Sequence, residues 1–174
     1  MTNQTHFKDP KHKVYALYYA IFAVLGIIIL TNQLLSISLS IIVLIVVFIL
    51  YAQLILMLIG AIKYWKLEVT GLKILFWISL SLVPLFVTPL ITYIPQVTTG
   101  LFFFIQGAFG ATEVGFDFHI AYDTRLTLLN GSIWGFGLNI IEFFIWIHFK
   151  NVAEMNQISI PPFKNEDLEL KIYD

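Results

Sequence analysis

The chain has 174 residues, of which 59% are hydrophobic and 12% are charged, and its mean hydropathy is +0.85. Soluble domains usually carry about 25% charged residues and leave much of their surface in water, so this composition favours an integral membrane protein. The net charge of −1 gives no field that attracts nucleic acid, and the absence of cysteine excludes disulfides, thiolate metal sites and cysteine nucleophiles.

Four long apolar segments predict membrane-spanning helices, since a helix crosses a bilayer with about 20 apolar residues. They cover residues 14–30, 34–62, 72–94 and 132–149. We therefore expect an all-α integral membrane protein, a four-transmembrane-helix bundle. Residues 1–13 would form an N-terminal segment, 95–131 an outer link and 150–174 a tail.

The positions of the lysines predict the orientation of these spans. Basic loops stay on the cytoplasmic side. The basic residues near the segment ends are Lys8, Lys11, Lys13, Lys63, Lys66, Lys73 and Lys150. The outer link holds a single base, Arg125, against three acids. Both termini are thus predicted to be cytoplasmic. The abundance of lysine and isoleucine is typical of AT-rich microbial genomes and of hot-living archaea, so we expect the plasma membrane of a bacterium or archaeon.

The outer link is the least regular part of the pattern. Residues 98–112 are apolar but too short to cross, which is typical of an interfacial or re-entrant helix. Residues 114–123 alternate strictly between apolar and polar or small side chains, which predicts a half-buried strand. Thr124 and Arg125 could turn this strand back into residues 126–129. We expect a small extracytoplasmic β-hairpin lying on the membrane surface.

Glu142 is the strongest candidate for a functional side chain. It falls near the middle of the fourth segment, where a carboxylate at bilayer depth costs several kcal/mol. Asn139, Gly135 and Gly131 share its predicted helix face, which suits close helix packing. The functional interpretation is the handling of a proton, an ion or a quinone or other substrate. The structural interpretation is a hydrogen bond between helices.

Two further sets of polar residues lie in the second and third segments. Ser81, Pro84, Thr88 and Thr92 are spaced as one helical stripe. Such a stripe could line a pathway, but small hydroxyl residues more often mediate helix packing. Gln53 is a lone amide that we expect to bond to a neighbouring helix or a partner subunit.

The polar face of the predicted strand carries a possible metal site. Asp117, His119 and Asp123 offer oxygen and imidazole ligands, which suit a divalent metal. Solvated side chains on an exposed strand are the commoner explanation of such a pattern.

His12 and His148 would both lie at the cytoplasmic edge of the membrane. Two histidines at one depth can hold a haem iron between helices. Nothing in their spacing demands a haem, and histidine also favours the interface as an amphipathic residue. We therefore predict no cofactor.

Three functions are compatible with the sequence, which carries no phosphate-binding loop, dinucleotide-binding motif or nucleophile elbow. The first, favoured because no catalytic motif is present, is a non-catalytic subunit of a larger membrane complex, such as a respiratory or transport assembly. The second is a small oligomeric transporter or channel that uses Glu142. The third is a membrane enzyme or metal site on the outer link. The predicted partners are the lipid bilayer and other membrane subunits or further copies of the chain, without nucleic acid.

Overall fold

The computed structural model describes residues 7–35, 41–89, 91–94, 97–108, 111–120, 125–128 and 134–160. Within these ranges the chain forms four helices and six strands. The helices are α1 (His12–Leu34), α2 (Ile41–Trp65), α3 (Val69–Leu82) and α4 (Ile140–Met155). The strands are β1 (Pro84–Val87), β2 (Ile91–Ile94), β3 (Thr99–Ala108), β4 (Ala111–Ile120), β5 (Arg125–Leu128) and β6 (Trp134–Asn139).

The six strands form one antiparallel sheet in the order β4-β3-β6-β1-β2-β5. Strand β6 therefore lies between β3 and β1, although 20 or more residues of chain separate it from either. Two helices connect directly to the sheet: α3 leads into β1, and β6 leads into α4.

The helices pack around a core that is rich in large aromatic and aliphatic side chains. Tyr19, Tyr64, Phe76 and Phe149 are fully buried there. Helix α3 lies so close to α2 that a Cβ on Gly71 would fall 2.3 Å from the backbone nitrogen of Tyr64. The turn between these two helices contains Leu67 at a φ of 58°. Glycine at the contact thus permits the close approach that follows this tight turn.

The expectation of an all-α, four-span bundle is wrong. Among the described residues, two helices are long and apolar enough to cross a membrane, His12–Leu34 and Val43–Trp65. The third predicted span is helical only as far as Leu82, and its continuation forms β1 and β2. Proline at position 84 lacks the backbone donor that a continuing helix needs, which explains this end.

The fourth predicted span is also divided between two kinds of structure. Residues 134–139 form β6, and the helix begins only at Ile140. Gly135 and Gly137 disfavour helix within this stretch. A Cβ on Gly137 would approach the carbonyl oxygen of Phe103 to 2.7 Å, so glycine also allows β6 to lie close to β3.

The outer link contains the predicted strand but not the predicted pairing. Val114, Phe116 and Phe118 lie in β4, as the alternation indicated. However, β4 pairs with the preceding β3 and not with a returning strand. Residues 99–108, expected as an interfacial helix, form β3, and β5 pairs with β2. The proposed turn at Thr124 and the tail after Ile160 lie outside the described residues.

Candidate functional site

Glu142 lies fully buried, and three hydroxyl groups surround its carboxylate. Tyr19 donates to Oε2 at 2.6 Å, and Tyr18 donates to Oε1 at 3.1 Å. Thr98, just before β3, donates to Oε1 at 2.5 Å. We call Glu142, Tyr18, Tyr19, Thr98 and Asn139 the Glu142 cluster. A buried carboxylate must be compensated by hydrogen bonds or an opposite charge, and here hydroxyl donors supply the compensation.

Asn139 places Glu142 by capping the helix that carries it. Asn139 is the last residue of β6 and the N-cap of α4, and its Oδ1 accepts from the backbone N–H of Glu142 at 3.3 Å. In a capping box the side chain of the acid would accept a hydrogen bond from the backbone N–H of the N-cap residue. Here that N–H donates instead to the carbonyl of Val83 at 2.8 Å. The side chain of Glu142 is therefore left to bond to α1.

A second buried acid, Asp9, lies before the start of α1 and is only 4% exposed. Tyr64 donates its hydroxyl hydrogen to Oδ2, and Nε2 of His148 lies 3.2 Å from the same oxygen. The backbone N–H of Lys11 donates to Oδ1 at 2.9 Å. We call Asp9, Tyr64 and His148 the Asp9 cluster. It joins the N-terminal segment to α2 and α4.

The surroundings of Asp9 act on its pKa in opposite directions. Burial raises the pKa, because a charged carboxylate is poorly solvated inside the protein. The hydrogen bonds from Tyr64, Lys11 and His148, together with the charge of His148, lower the pKa by more. The net result is a pKa below the ordinary value of 3.8. Asp9 is thus ionised at neutral pH.

The segment around Asp9 is held at both ends. Phe7 is buried against the ring of Tyr64, with centroids 5.3 Å apart, and its N–H donates to the carbonyl of Leu67. The side chain of Asn156, just after α4, accepts from the N–H of Lys8 at 2.9 Å and donates to its carbonyl at 3.1 Å. We call this two-way contact the Lys8–Asn156 bridge.

The ring of Phe149 lies between the two clusters. It contacts Tyr19 of the Glu142 cluster and Tyr64 of the Asp9 cluster, with centroid distances of 6.0 and 5.2 Å. The phenyl ring offers no hydrogen-bonding group, so it breaks any direct chain of hydrogen bonds between the two acids along this line.

The other predicted polar residues lie in different surroundings from those expected from the sequence. Nε2 of Gln53 donates to Oγ of Ser81 at 3.1 Å, which joins α2 to α3. The proposed stripe from Ser81 to Thr92 does not lie on one helix, because α3 ends at Leu82. Thr88 is exposed between β1 and β2. The stripe of Gly131, Gly135, Asn139 and Glu142 likewise does not lie on one helix, because β6 provides two of these residues.

Of the three proposed metal ligands, Asp117 lies exposed on β4. The side chain of His119 and all of Asp123 lie outside the described part of the chain, so the metal site stays a prediction. The two proposed haem ligands both contact Asp9. His148 meets its carboxylate, and Nδ1 of His12 lies 2.7 Å from its backbone oxygen.

Of the five residues of the Glu142 cluster, only Glu142 and Asn139 were identified as candidates from the sequence. Nothing in the sequence pattern marked Tyr18 and Tyr19 as partners of Glu142, and Thr98 belongs to the outer link. Asp9 was missed entirely, although an acid followed by proline just before a helix is a common way to begin one. No protein-family model, curated protein or solved structure matches this chain.

Proposed function

We propose that the chain is a membrane-anchored, non-catalytic subunit of a larger membrane complex, held in the bilayer by α1 and α2. The observation that carries the anchoring is the exterior of these two helices. Large apolar side chains on both are exposed, including Leu17, Val24 and Ile28 on α1 and Phe48 and Ile55 on α2. Extended exposed apolar surface marks contact with a membrane or another protein. Both helices are also long enough to cross.

The distribution of charge supports one orientation. Lys11 and Lys13 lie at the start of α1, and Lys63 lies at the end of α2. The ammonium group of Lys13 lies 5.8 Å from the ring of Trp65, so these two helix ends are close in space. The described acids of the sheet, Glu113 and Asp117, lie on β4. A basic end favours the cytoplasm, which gives a cytoplasmic N-terminus in a bacterial or archaeal plasma membrane.

The use of the buried polar groups supports a structural subunit. The Asp9 and Glu142 clusters join segments that are distant in sequence, and Ser79 donates to the carbonyl of Phe76 in its own helix. The carboxylates of Asp9 and Glu142 thus accept hydrogen bonds from other parts of the described chain, which supports a role in holding the fold together.

The anchoring is tested by a lysine at Ile55, which is exposed and lies about 15 Å along α2 from Trp65. In water, Ile55→Lys would be harmless. In lipid, a lysine near the bilayer centre costs about 2.5–3.5 kcal/mol on insertion scales. We expect Ile55→Lys to lower the fraction that resists alkaline carbonate extraction.

The matched control is Ile62→Lys, on the exposed side of the same helix but one turn from its end. A lysine there can extend its ammonium group to the interface. The fraction of Ile62→Lys that resists carbonate extraction should therefore match that of the unaltered chain. Equal fractions for both variants and the unaltered chain would contradict the anchoring.

The subunit role is tested by purification in a mild detergent through a C-terminal tag. We expect other membrane proteins to co-purify in a fixed ratio that survives a second affinity step. A homogeneous assembly of this chain alone would contradict the subunit role.

A small transporter or channel is the second candidate. It is favoured by one observation, the Nδ2 group of Asn139, which is buried beside Glu142 without a hydrogen-bond partner in the described structure. Such a donor beside an acid could serve a transported anion or water. Under this candidate, Glu142→Gln abolishes flux in proteoliposomes, whereas Glu154→Gln on the exposed side of the same helix does not. Unchanged flux in Glu142→Gln would remove the support.

A further inference from the structure

An apolar groove with a volume of about 650 Å³ lies between α2 and α3. Cavities of this size hold small organic ligands. The residues of α3 that line the groove follow helical spacing: Thr70, Lys73, Ile74, Trp77, Ile78 and Ser81. On α2 the groove is lined by apolar side chains that include Phe48, Ile49 and Leu56, all of them exposed. The groove therefore opens on the surface that the proposed anchoring places in lipid. We call it the α2–α3 groove.

The α2–α3 groove has the length of one bilayer leaflet. Thr70 and Ser81 lie about 16 Å apart along α3 at 1.5 Å per residue. The hydrocarbon of a bilayer is about 30 Å thick, so one leaflet contributes about 15 Å. The close contact of Gly71 with Tyr64 places the Thr70 end of the groove beside the end of α2 that carries Lys63. The groove thus runs from the basic end of the molecule toward the middle of α2.

Polar groups are distributed unevenly along the α2–α3 groove. At its deep end, Gln53 donates to the hydroxyl of Ser81 at 3.1 Å. At the basic end, the lining includes the hydroxyl of Thr70 and the ammonium group of Lys73.

The charge of Lys73 is not balanced by an acid of the protein. Among the described residues, Lys73 forms no ion pair. Glu68, which precedes α3, pairs instead with Lys63 at 2.8 Å. A half-buried cation thus lies at one end of an apolar groove, and a ligand with an anionic head and an apolar tail complements both features.

We infer that the α2–α3 groove binds one phospholipid with an anionic headgroup. Its phosphate contacts Lys73 and Thr70, and one acyl chain lies along the apolar lining toward Ser81. This inference rests on the proposed anchoring and orientation, which place Lys73 on the cytoplasmic side. The cytoplasmic leaflet carries the anionic lipids, and basic pockets between membrane helices on this side bind their headgroups. The ammonium and hydroxyl groups both donate hydrogen bonds to phosphate oxygens.

The preference for an anionic headgroup is tested by native mass spectrometry of the delipidated chain in detergent. Dioleoylphosphatidylglycerol and dioleoylphosphatidylcholine are the probes, because they share their acyl chains and differ in net charge. We expect one phosphatidylglycerol to bind several-fold more tightly than phosphatidylcholine. Lys73→Gln should reduce this ratio to near one. The matched control is Lys150→Gln, at a half-exposed position on α4, which should keep the preference of the unaltered chain.

A second pair of variants tests the position of the acyl chain. Ala52 lines the groove, so Ala52→Phe should fill part of it and weaken the binding of both lipids several-fold. Ile55→Phe adds an aromatic ring on the exposed side of the same helix, outside the groove, and should bind both lipids like the unaltered chain. Circular dichroism reports whether each variant keeps its secondary structure. Equal weakening by Ala52→Phe and Ile55→Phe would overturn the inference.

Other occupants of the α2–α3 groove give different results. Equal affinities of the unaltered chain for the two lipids, or a preference that survives in Lys73→Gln, would overturn the inference. So would a dimer of the chain that binds no lipid. An excess of glycerol 3-phosphate, which carries the charge without the chains, should not displace phosphatidylglycerol, and displacement would indicate a soluble phosphate ligand instead.

The lipid site and the anchoring can fail separately, because lipid binding is measured in detergent and anchoring by carbonate extraction. Loss of the lipid preference together with the expected behaviour of Ile55→Lys would overturn the lipid site and leave the anchoring intact. Carbonate extraction that is unchanged in Ile55→Lys would contradict the anchoring on which the lipid site rests.

Discussion

The two buried acids show how single residues join distant parts of this chain. Glu142 bonds to α1 and to the segment before β3, while Asp9 bonds to α2 and α4. Glu142 receives its hydrogen bonds from hydroxyl groups, which carry no charge to be desolvated. Removing either acid would leave several buried donors without an acceptor, so we expect both to stabilise the fold.

The pH dependence of stability tests the role of Asp9. Its pKa in the folded chain is lower than in the unfolded chain, so ionised Asp9 stabilises the fold above the ordinary value of 3.8. This stabilisation is lost as the pH falls through the lower folded value. We expect Asp9→Asn to be destabilised at pH 7 by about 1–3 kcal/mol in detergent unfolding.

The difference between Asp9→Asn and the unaltered chain should shrink as the pH is lowered below 3.8, because Asp9 then becomes neutral in both states of the unaltered chain. A difference in unfolding free energy that is independent of pH would contradict the assigned role.

Replacing Glu142 tests the three hydroxyl contacts. Glu142→Leu leaves the hydroxyls of Tyr18, Tyr19 and Thr98 facing an apolar side chain. Each unsatisfied buried group costs about 1–3 kcal/mol, so we expect a loss of about 2 kcal/mol or more on unfolding by a denaturing detergent.

The control for Glu142→Leu is Glu154→Leu on the same helix. Glu154 is half exposed and makes a 3.7 Å surface ion pair with Lys150, and such a pair contributes about 0–1 kcal/mol. Similar losses in the two variants would show that the contacts of Glu142 are not what stabilises this region.

At the scale of elements, the sequence predicted the positions of the apolar segments well. It predicted less well whether each segment is a helix or a strand. Helices α1 and α2 contain most of the first two apolar runs, although α1 also continues through the polar residues 31–33 to Leu34 and α2 begins at Ile41. Beyond Leu82 and before Ile140 the runs continue, yet the structure changes from helix to strand. An apolar run without clear periodicity does not distinguish a buried helix from a strand. Pro84 and Gly137 carried the information, but proline and glycine also occur within membrane helices.

The pairing of the strands was still harder to predict. The alternation in β4 identified a strand and its apolar face. Its partner could not be inferred, because β3 has the same apolar character along its whole length and resembled an interfacial helix. The members of the Glu142 cluster also could not be predicted to lie together. Helix α1, helix α4 and the segment before β3 are brought together only by the complete fold.

The contact between α2 and α3 gives a prediction at this scale. Gly71→Ala would place a methyl group against the backbone of Tyr64, which cannot move without shifting α2. Overpacking of this kind costs typically about 1–3 kcal/mol. We expect Gly71→Ala to lose that much unfolding free energy in detergent. Thr70→Ala, at an exposed neighbouring position, should have an unfolding free energy close to that of the unaltered chain. Equal stability of Gly71→Ala and Thr70→Ala would contradict the close packing.

At the scale of the whole molecule, charge and chemistry differ between the two ends. The basic residues near the start of α1 and the end of α2 lie close to the Asp9 cluster, whereas the described acids of the sheet lie on β4. If the basic end faces the cytoplasm, then the end of α4 faces it too, because His148 and Asn156 contact the N-terminal segment.

The orientation proposed above predicts the outcome of labelling from outside the cell. A reporter fused after Asp174 should read as cytoplasmic. Glu113→Cys, exposed on β4, should react with an impermeant maleimide in intact cells or right-side-out vesicles. Labelling of Glu113→Cys only after the membrane is permeabilised would contradict this orientation.

The Lys8–Asn156 bridge has a consequence for biosynthesis. The two residues are 148 positions apart, so the bridge cannot form until nearly all of the described chain has left the ribosome. His148 likewise reaches Asp9 only after α4 has been made. Until then Asp9 lacks one of its native hydrogen-bond partners. Truncation before α4 should therefore leave α1 and α2 able to insert but the N-terminal segment open to proteases.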